Sequence, residues 1–255
     1  MKIVALNING IRAGQRKGFF EWLAAHSPDI VCLQEIKAQE HQLNETFYPK
    51  DYHCHYFPAQ RPGYSGTAIL SKREPKKIIT GLGFDLCDSE GRYIQCDYEG
   101  LSVGSLYLPS GSHNDDRQVL KYEFMDRLED IMKAFKRKRQ EFILCGDWNI
   151  AHTKKDIKNW RGNQKNSGFL PEERAWMDKL FGEMGWVDAF RVLNQEEHQY
   201  TWWSNRGRAW ENNVGWRIDY HITTPGLRDK IIGCDIYKDE RFSDHAPLII
   251  DYALD

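Results

Sequence analysis

Short apolar strands that recur in hairpin-like pairs, with helices between them, constrain the fold of this chain most. Alternating or continuous apolar segments predict strands at residues 2–8, 29–34, 66–71, 93–96, 101–108, 141–145, 200–203, 217–223 and 247–252. Amphipathic spacing predicts helices from residue 19 to about 27, over 116–138 and over 171–184. Paired strands interrupted by helices favour an α/β (α+β) fold of two packed sheets flanked by helices over a doubly wound parallel sheet.

Composition and length limit the class of protein. The 255 residues contain no obvious repeat or linker, and 41% are hydrophobic, which predicts one folded domain over residues 1–255 and excludes a disordered chain. No apolar run reaches the roughly 18 residues of a membrane span. The chain enters a strand directly after Met1, so no leader is predicted. The cysteines lack ligand-like spacing, which favours free thiols in a reducing cytoplasm; they are Cys32, Cys54, Cys87, Cys96, Cys145 and Cys234.

The charge balance excludes one way of binding nucleic acid. A formal net charge of −2 means that the whole chain does not attract a polyanion. Any such binding must come from local basic patches or from a metal ion.

Polar side chains recur at the ends of the predicted strands, or directly before them. Burying such groups is costly unless they share a ligand, and strand ends that meet at one rim of a sandwich make sharing easy. The residues concerned are Asn7, Glu35, Tyr107, Asp147, Asn149, Asp219, Asp244 and His245.

Each of these residues also has an ordinary explanation. Asn7 is placed to cap the Asn9-Gly10 turn, and Glu35 to form an ion pair with Lys37. Asp147 and Asn149 have the spacing of an Asx turn, and His245 of a half-buried turn histidine. All of these explanations would have to hold together, and that combination is improbable.

Metal-assisted hydrolysis of a phosphodiester is the chemistry that fits this set. Oxygen ligands without cysteine suit Mg²⁺ or Mn²⁺, with Glu35 as the main carboxylate. Asp147 is placed to orient or deprotonate the attacking water, while Asn149 and His245 donate to phosphoryl oxygens. Donors and metal together would offset the charge that develops in the transition state.

The motifs along the chain resemble those of the exonuclease III family of abasic-site endonucleases, within the endonuclease/exonuclease/phosphatase superfamily. GDxN and SDH are shared across that superfamily, whereas GNQKNSGF and GWRIDY are specific to its DNA-repair branch. The matching segments are KIVALNINGIRA (2–13), LQEIK (33–37), GYSGTAILSK (63–72), SLYLPSG (105–111), GDWNIAH (146–152), GNQKNSGFLPEER (162–174), NVGWRIDY (213–220) and FSDHAPL (242–248). The family fold implied is a DNase I-like four-layer α/β sandwich of two mixed sheets.

The resemblance implies a role for each residue at a strand end. Glu35 resembles the principal metal ligand, and Asp219 the carboxylate that orients the imidazole of His245. The implied metal site comprises Asn7, Glu35, Asp147, Asn149, Asp244 and His245. The implied catalytic residues are Tyr107, Asp147, Asn149, Asp219 and His245.

The resemblance also implies a DNA-binding surface. Trp202, Trp216 and Ile218 match an apolar pocket that admits a sugar without its base and rejects a normal nucleotide. Positions that match contacts to the DNA backbone are Arg12, Asn163, Lys165 and Asn166. A wider basic set predicts a local phosphate track; it comprises Lys154, Lys155, Lys158, Arg161, Arg206, Arg208 and Arg217.

The implied function is that of an abasic-site endonuclease in base-excision repair. It would use Mg²⁺, with Mn²⁺ as a substitute, to cut 5′ to the lesion and leave a 3′-hydroxyl. The implied side activities are those of a 3′-phosphodiesterase, a 3′-phosphatase and a 3′→5′ exonuclease. Its partner would be double-stranded DNA with abasic sites or blocked 3′ ends, and the enzyme would be a cytoplasmic monomer that binds no membrane. The alternatives are a 3′→5′ exonuclease that trims 3′ ends, a phosphoinositide-type phosphodiesterase of the same superfamily, and a nucleic-acid-binding module with an inactive site.

Overall fold

Strands and short helices alternate along the chain, and the computed structural model describes residues 1–112 and 115–254. The strands are β1 (Lys2–Asn7), β2 (Ile30–Gln34), β3 (His53–Phe57), β4 (Thr67–Ser71), β5 (Lys77–Thr80), β6 (Tyr93–Asp97), β7 (Leu101–Tyr107), β8 (Glu141–Asp147), β9 (Val187–Asp188), β10 (Trp202–Trp203), β11 (Gly215–Trp216), β12 (Asp219–Thr223), β13 (Ile231–Ile236) and β14 (Leu248–Tyr252). The α-helices are α1 (Ile11–Arg16), α2 (Phe19–His26), α3 (Asp85–Ser89), α4 (Asp115–Phe135), α5 (Trp160–Asn163), α6 (Pro171–Phe181) and α7 (Ala189–Leu193). Short 3₁₀ turns lie at Glu40–Gln42, Glu45–Phe47, Lys154–Asp156 and Pro225–Lys230.

Two six-stranded mixed sheets form the centre of the molecule. The first has the spatial order β13-β14-β1-β2-β4-β3, and the second has the order β5-β6-β7-β8-β12-β9. Each sheet contains one parallel pair, β1 with β2 and β7 with β8, among antiparallel neighbours. Strands β10 and β11 form a separate two-stranded ribbon.

Apolar side chains divide the molecule into four layers. Ile3, Cys32 and Ile143 belong to the core between the two sheets. On the outer face of the second sheet, Leu144 packs with Phe124 of α4 and with neighbouring side chains of α6. The first sheet is covered in the same way by α1 and α2. The predicted four-layer sandwich of two packed, helix-flanked sheets is therefore confirmed.

Several element boundaries differ from the sequence prediction for physical reasons. The prediction missed β3, β5 and β13, which lie at or near sheet edges and are partly exposed, so they lack a clear apolar pattern. The predicted strand at 217–223 begins only at Asp219, because the Arg217 backbone N–H donates to Asp156 instead. The long helix ends at Phe135 rather than at 138. Among the helices of residues 1–112 and 115–254, none has the length and apolarity that a bilayer crossing requires.

The topology directs polar strand ends to one rim. The parallel pairs β1/β2 and β7/β8 present their carboxyl ends together, and β12 runs antiparallel to β8 so that it starts where β8 ends. Asp219 therefore lies directly opposite Asp147 in the ladder. The segment before β14, which carries Asp244 and His245, arrives at the same rim.

His221 on β12 is a fully buried histidine between the sheets. Its Nδ1 lies 3.2 Å from the Tyr252 hydroxyl, and the two rings stack at a centroid distance of 6.2 Å. Burial lowers the pKa of His221 to about 3, although the backbone of Leu248 and the charge of Asp188 oppose the shift. The folded protein therefore keeps this imidazole neutral in acid that protonates it in the unfolded chain.

Stability should consequently fall as pH decreases from about 6.5 towards 3, by about 1.4 kcal/mol per pH unit from this group alone. We expect the wild type to lose about 2 kcal/mol more unfolding free energy than His221→Phe between pH 7 and pH 5. Urea unfolding at the two pH values measures this difference, since other ionisations are common to both proteins. His53→Gln, at an exposed histidine on β3, should behave like the wild type. Equal pH dependence of His221→Phe and wild type would contradict the prediction.

Candidate active site

A cleft of about 870 Å³ opens at the rim where the polar strand ends meet. Asn7 and Asp219 lie beneath it and are fully buried. The predicted site residues that line the cleft are Glu35, Tyr107, Asp147, Asn149, Lys165, Asn166, Trp202, Trp216, Ile218, Asp244 and His245. The structure therefore brings together side chains that are up to about two hundred residues apart in sequence.

Several predicted contact residues lie outside this cleft. Arg12 is exposed and lines a separate surface depression beside Lys37. The side-chain amide of Asn163 donates to the carbonyls of Lys158 and Asn159 within its own turn. The assignment of Arg217 to an exposed phosphate track is wrong, because this side chain is fully buried and ion-paired.

Asn7 connects the two sheets at the cleft floor. Its Nδ2 donates to Glu35 Oε1 at 2.8 Å and to Asp147 Oδ2 at 2.9 Å, and these carboxylates belong to different sheets. Its Oδ1 accepts from the backbone N–H of Asn9 at 3.0 Å. The capping role and the shared polar cluster therefore coexist in one side chain.

The Glu35–Lys37 ion pair also exists, and its Glu35 side chain lines the cleft. Lys37 Nζ is 2.7 Å from Glu35 Oε2 and donates to Asn9 Oδ1 at 2.5 Å. Burial alone would raise the pKa of Glu35, but the charge of Lys37 and the amide of Asn7 more than offset it and lower that pKa. Glu35 is therefore an ionised carboxylate at neutral pH.

Left-handed backbone conformations cluster around these side chains. Glu35, Lys37 and Asn149 have φ values of 51°, 48° and 51°, which cost a non-glycine residue on the order of 1 kcal/mol or more each. Backbone hydrogen bonds hold the loop, since Ile36 N donates to Gly66 O and Lys37 N to Ser65 O. Backbone strain of this kind persists only where the surrounding structure holds it in place, and it is common at functional sites.

His245 is held between two carboxylates. Its Nδ1 lies 2.8 Å from Asp219 Oδ2, and its Nε2 lies 3.8 Å from Asp147 Oδ2. Burial alone would lower the pKa of His245, but the charge of Asp219 and its hydrogen bond outweigh burial and raise that pKa to about 10. Backbone N–H groups of Ile218 and Asp219 donate to Thr201 Oγ1, which fixes the start of β12 beneath the imidazole.

Asp147 is a buried carboxylate whose two oxygens have different partners. Oδ1 accepts from the backbone N–H of Asn149 at 2.9 Å, the predicted Asx turn, and Oδ2 accepts from Asn7. Burial raises the pKa of Asp147, and the positive charge of His245 opposes that shift. A carboxylate with a raised pKa is a better proton acceptor near neutral pH than an exposed one.

Tyr107 reaches the cleft from the end of β7, supported by a buried arginine that the sequence prediction missed. The Arg92 guanidinium lies 4.5 Å from the Tyr107 ring centroid and donates to the Tyr107 carbonyl at 3.0 Å. Burial and the charge of Glu35 raise the pKa of Tyr107 well above its usual value, so its hydroxyl is a hydrogen-bond donor at neutral pH. Nothing in the local sequence marks Arg92.

The β10–β11 ribbon builds an apolar slot in the cleft. Trp202 and Trp216 are directly opposed in the ladder, and their rings meet edge to face with centroids 6.0 Å apart. Trp202 Nε1 donates to Asp244 Oδ2 at 3.1 Å, which ties the slot to the polar cluster. Gly168 lies against Trp216, where a Cβ would meet the indole at 3.0 Å. Its φ of +92° also favours glycine, so the loop can approach this closely.

A fully buried ion pair fixes the wall behind Asn149. Lys121 Nζ donates to Glu173 Oε1 at 2.5 Å and to the Asn149 carbonyl at 2.8 Å. The other oxygen, Glu173 Oε2, accepts from the N–H groups of Gly168 and Leu170. The sequence does contain a sign that Lys121 is buried, because this residue lies on the apolar face of α4 with Phe124 and other core residues.

Removing one partner of this pair should destabilise the protein. Lys121→Met leaves Glu173 buried without its cation, and we expect a loss of about 3–5 kcal/mol in the free energy of unfolding. The double variant Lys121→Met/Glu173→Gln removes the unpaired charge and should recover much of the loss. Urea unfolding at pH 7 measures each value.

Lys133→Met is the matched control, since Lys133 lies on the same helix and pairs with Glu129 nearer the surface. Its loss should stay below about 1 kcal/mol. Equal losses for Lys121→Met and Lys133→Met would mean that the buried pair does not stabilise the wall.

The donor set fits a hard divalent cation. Glu35, Asp147 and Asp244 offer carboxylate oxygens in one cleft, and the Lys37 ammonium stands beside Glu35 where a cation would balance it. Asp147, Asp219 and His245 also offer ligand atoms within 4.8 Å of one another. The raised pKa of His245 favours a protonated ring without a free lone pair, so the Glu35 side of the cleft fits a cation better.

Comparison with known proteins places the chain among DNA nucleases. The model of the Endonuclease/Exonuclease/phosphatase family matches residues 4–245. An exodeoxyribonuclease of Bacillus subtilis is 39% identical over 97% of this chain and 98% of the relative. A DNA-(apurinic or apyrimidinic site) endonuclease of Dictyostelium discoideum is 34% identical over 97% of this chain and 69% of the relative. The solved structure of an AP endonuclease from Archaeoglobus fulgidus superposes with a TM-score of 0.90 at 28% identity, covering all of both chains.

Proposed function

We propose a specific reaction for this chain, which belongs to the endonuclease/exonuclease/phosphatase family. It is a nuclease of the DNA-repair type, and the resemblance predicted from its motifs is confirmed. The reaction that we propose is hydrolysis of the phosphodiester 5′ to an abasic site, which leaves a 3′-hydroxyl. The observation that carries it is the apolar slot of Trp202, Trp216 and Ile218, which opens into the same cleft as Asp147 and His245.

Metal dependence is a property of the family, and Mg²⁺, with Mn²⁺ as a substitute, is our proposal for the ion. When bound, the ion would supply Lewis-acid stabilisation of the phosphoryl oxygens. Glu35 would hold it, with Asn7 beside that carboxylate and Asp147, Asn149, Asp244 and His245 as the surrounding polar residues. The exposed fraction of the Lys37 side chain, 31%, leaves its ammonium free to move away from Glu35.

Asp147 is the residue to which we assign water activation. The N–H of Asn149 and the amide of Asn7 fix its carboxylate, so one orientation is held before substrate arrives. Its raised pKa suits removal of a proton from water near neutral pH. Because its partners are donors on both oxygens, the carboxylate is positioned without losing its charge.

Three donors would stabilise the phosphoryl oxygens in the transition state. His245, oriented by Asp219 at 2.8 Å, would donate from Nε2 as an imidazolium. The protonated hydroxyl of Tyr107 and the amide of Asn149 line the same cleft and would also donate. Each such donor contributes several kcal/mol in a site that excludes water.

Substrate selection follows from the size of the slot. Trp202, Trp216 and Ile218 would pack against a deoxyribose that carries no base, and a normal nucleotide would be too large for the apolar wall that they form. Lys165 and Asn166 line the same cleft and would bind the adjoining phosphates, with Arg12 and Asn163 further along the strand.

The wider setting is also a proposal. We infer that residues 1–255 form a single catalytic domain, because the family match spans 4–245. The partner would be double-stranded DNA with abasic sites or blocked 3′ ends, and the protein would act as a cytoplasmic monomer. Six cysteines that form no disulfide agree with a reducing compartment.

A duplex with one synthetic abasic site tests the reaction directly. With Mg²⁺ the wild type should cut 5′ to the lesion and leave an extendable 3′-hydroxyl, and EDTA should abolish cutting. Asp147→Asn should lower the single-turnover rate by about 10²–10⁴-fold while DNA affinity is kept. Product sizing on a sequencing gel and a filter-binding titration measure the two quantities.

Asp130→Asn is the control for this experiment, because Asp130 is highly exposed on α4 and should cut at the wild-type rate. Absence of incision by the wild type, with retained DNA binding, would refute the proposed reaction. Parallel loss of binding and cutting in Asp147→Asn would show that Asp147 maintains the site rather than activating water.

The slot and the chemical residues should have separable effects. Trp216→Ala enlarges the slot, so it should reduce the ratio of the abasic rate to the normal-duplex rate. His245→Ala removes a donor to oxygens that every phosphodiester has, so it should slow both substrates by similar factors. Single-turnover rates on matched duplexes measure this. An unchanged ratio in Trp216→Ala would overturn the role of the slot.

Trimming of 3′ ends is a second candidate activity, favoured by the exodeoxyribonuclease from Bacillus subtilis. The same cleft and the same donors would act on a terminal phosphodiester or a 3′-phosphate. An undamaged duplex with a recessed 3′ end, assayed beside the abasic duplex, decides which activity dominates.

A further inference from the structure

A second cavity of about 650 Å³ lies behind the wall of the catalytic cleft. We call it the Arg217 cavity; its wall includes the segment Trp216 to Ile218. Trp216 and Ile218 line the catalytic cleft, whereas Arg217 between them lines the second cavity. Successive side chains of an extended segment point to opposite sides, so this one segment lines both cavities.

The two cavities differ in charge. The catalytic cleft is lined by four carboxylates, against two basic side chains, Lys165 and Arg206, and the imidazolium of His245. The Arg217 cavity has the opposite balance, with three aspartates, Asp156, Asp178 and Asp188. Its basic residues are Lys154, Lys155, Arg174, Arg191, Arg217 and Arg228. A formal excess of three positive charges in a chain of net charge −2 is a local attraction for anions.

Part of this charge forms a rigid internal network. Arg217 is fully buried and pairs with Asp156 and Asp188 at 2.7 Å each, and Arg191 pairs with Asp156 at 2.7 Å. Asp178 pairs with His152 at 2.7 Å. All three aspartates therefore have partners of their own.

Four cations around the cavity have no carboxylate partner. Within residues 1–112 and 115–254, no acidic group lies within ion-pair distance of Lys154, Lys155, Arg174 or Arg228. Lys155 donates to the Gln195 carbonyl and Arg174 to the Phe169 carbonyl, which neutralise no charge. Lys154 and Arg174 also lie over the rings of Trp160 and Phe169, so Lys155 and Arg228 are the cations most available to a bound anion.

The rest of the lining is aromatic and aliphatic. Phe181 and Trp186 contribute rings, and Val187 and Val192 contribute branched side chains. Trp186 is only 2% exposed, so Phe181 and Val192 form the accessible part of this apolar side.

We propose that the Arg217 cavity binds a nucleotide, with the phosphate beside Lys155 and Arg228 and the base against Phe181. The cavity has the size of a small-molecule site, and it combines an anion-binding side with a flat apolar side. The nucleotide is either a free nucleoside 5′-monophosphate or one unit of a DNA strand. This site goes beyond the proposed function, because it lies outside the catalytic cleft and needs no metal.

Calorimetric titration in EDTA tests the proposal without turnover. The probes are deoxyadenosine 5′-monophosphate, inorganic phosphate and an eight-residue oligothymidylate. The monophosphate should bind the wild type at one site, and inorganic phosphate should bind at least about tenfold more weakly, since it lacks the base. Equal affinity for the two small probes would overturn the base-binding half of the proposal.

Charge reversal locates the site. Lys155→Glu/Arg228→Glu should weaken binding of the monophosphate by at least about tenfold, since two exposed cations of the cavity are replaced by acids. Arg137→Glu/Arg139→Glu changes the net charge equally at exposed positions after α4 and should leave the affinity unchanged. If both variants lose affinity equally, attraction is general and the cavity is not the site.

Filling the apolar side is the second test. Val192→Trp keeps the charge and reduces the space beside Phe181, so it should abolish binding of the monophosphate. Retained affinity in that variant would overturn the proposal.

Competition between oligothymidylate and the monophosphate would identify a DNA strand as the source of the nucleotide, and monophosphate binding without competition would identify the free nucleotide.

Discussion

One amide links the carboxylates of the two sheets. Asn7 donates to Glu35 from its own sheet and to Asp147 from the opposing sheet, each within 2.9 Å. Two carboxylates at the buried rim of a sandwich repel each other and lose hydration, so their closeness depends on shared donors. Because Asn7 ends β1 and Asp147 ends β8, this pairing also aligns the carboxyl ends of the central strands. The catalytic cleft lies at the rim where these strand ends are aligned.

Around Asn7, Glu35 and His245 each have a counter-charge of their own. Lys37 balances Glu35, and Asp219 balances His245, while Asp147 retains a raised pKa because burial outweighs its donors. Carboxylates whose environments move their pKa values in opposite directions can serve different chemical roles in one cleft. The lowered pKa of Glu35 suits cation binding, and the raised pKa of Asp147 suits proton transfer.

Supporting interactions from the helices make this arrangement rigid. Lys121 and Glu173 join the Asn149 turn to the loop that carries Gly168, and Gly168 lies against the Trp216 ring. The same wall continues to Arg217, whose buried ion pairs fix its opposite face. Polar cluster, apolar slot and second cavity are consequently parts of one continuous structure rather than independent features.

The amino-acid pattern establishes the classes of secondary-structure element and the residues that can take part in chemistry. Apolar runs that end in Asn7, Glu35 and Asp147 follow from side-chain periodicity, which is local, and the family motifs identify the superfamily fold. Edge strands such as β5 escaped prediction because half-exposed strands carry little apolar pattern.

Packing of the two sheets establishes which of these residues lie in contact. The Asn7–Asp147 bond joins positions 140 residues apart, and packing between sheets leaves no local signal of such a pairing. The same limit explains two of the basic residues that the sequence prediction placed wrongly or missed. The sequence predicts Arg217 to be a surface cation, but this residue is buried against Asp156 and Asp188. The sequence places Lys121 on a helix, but it does not predict the position of this residue behind the cleft. The local sequence pattern predicts whether a side chain is polar or apolar and which element carries it. The counter-charge of a buried side chain comes from distant segments of the chain, which the packed sheets bring close to it.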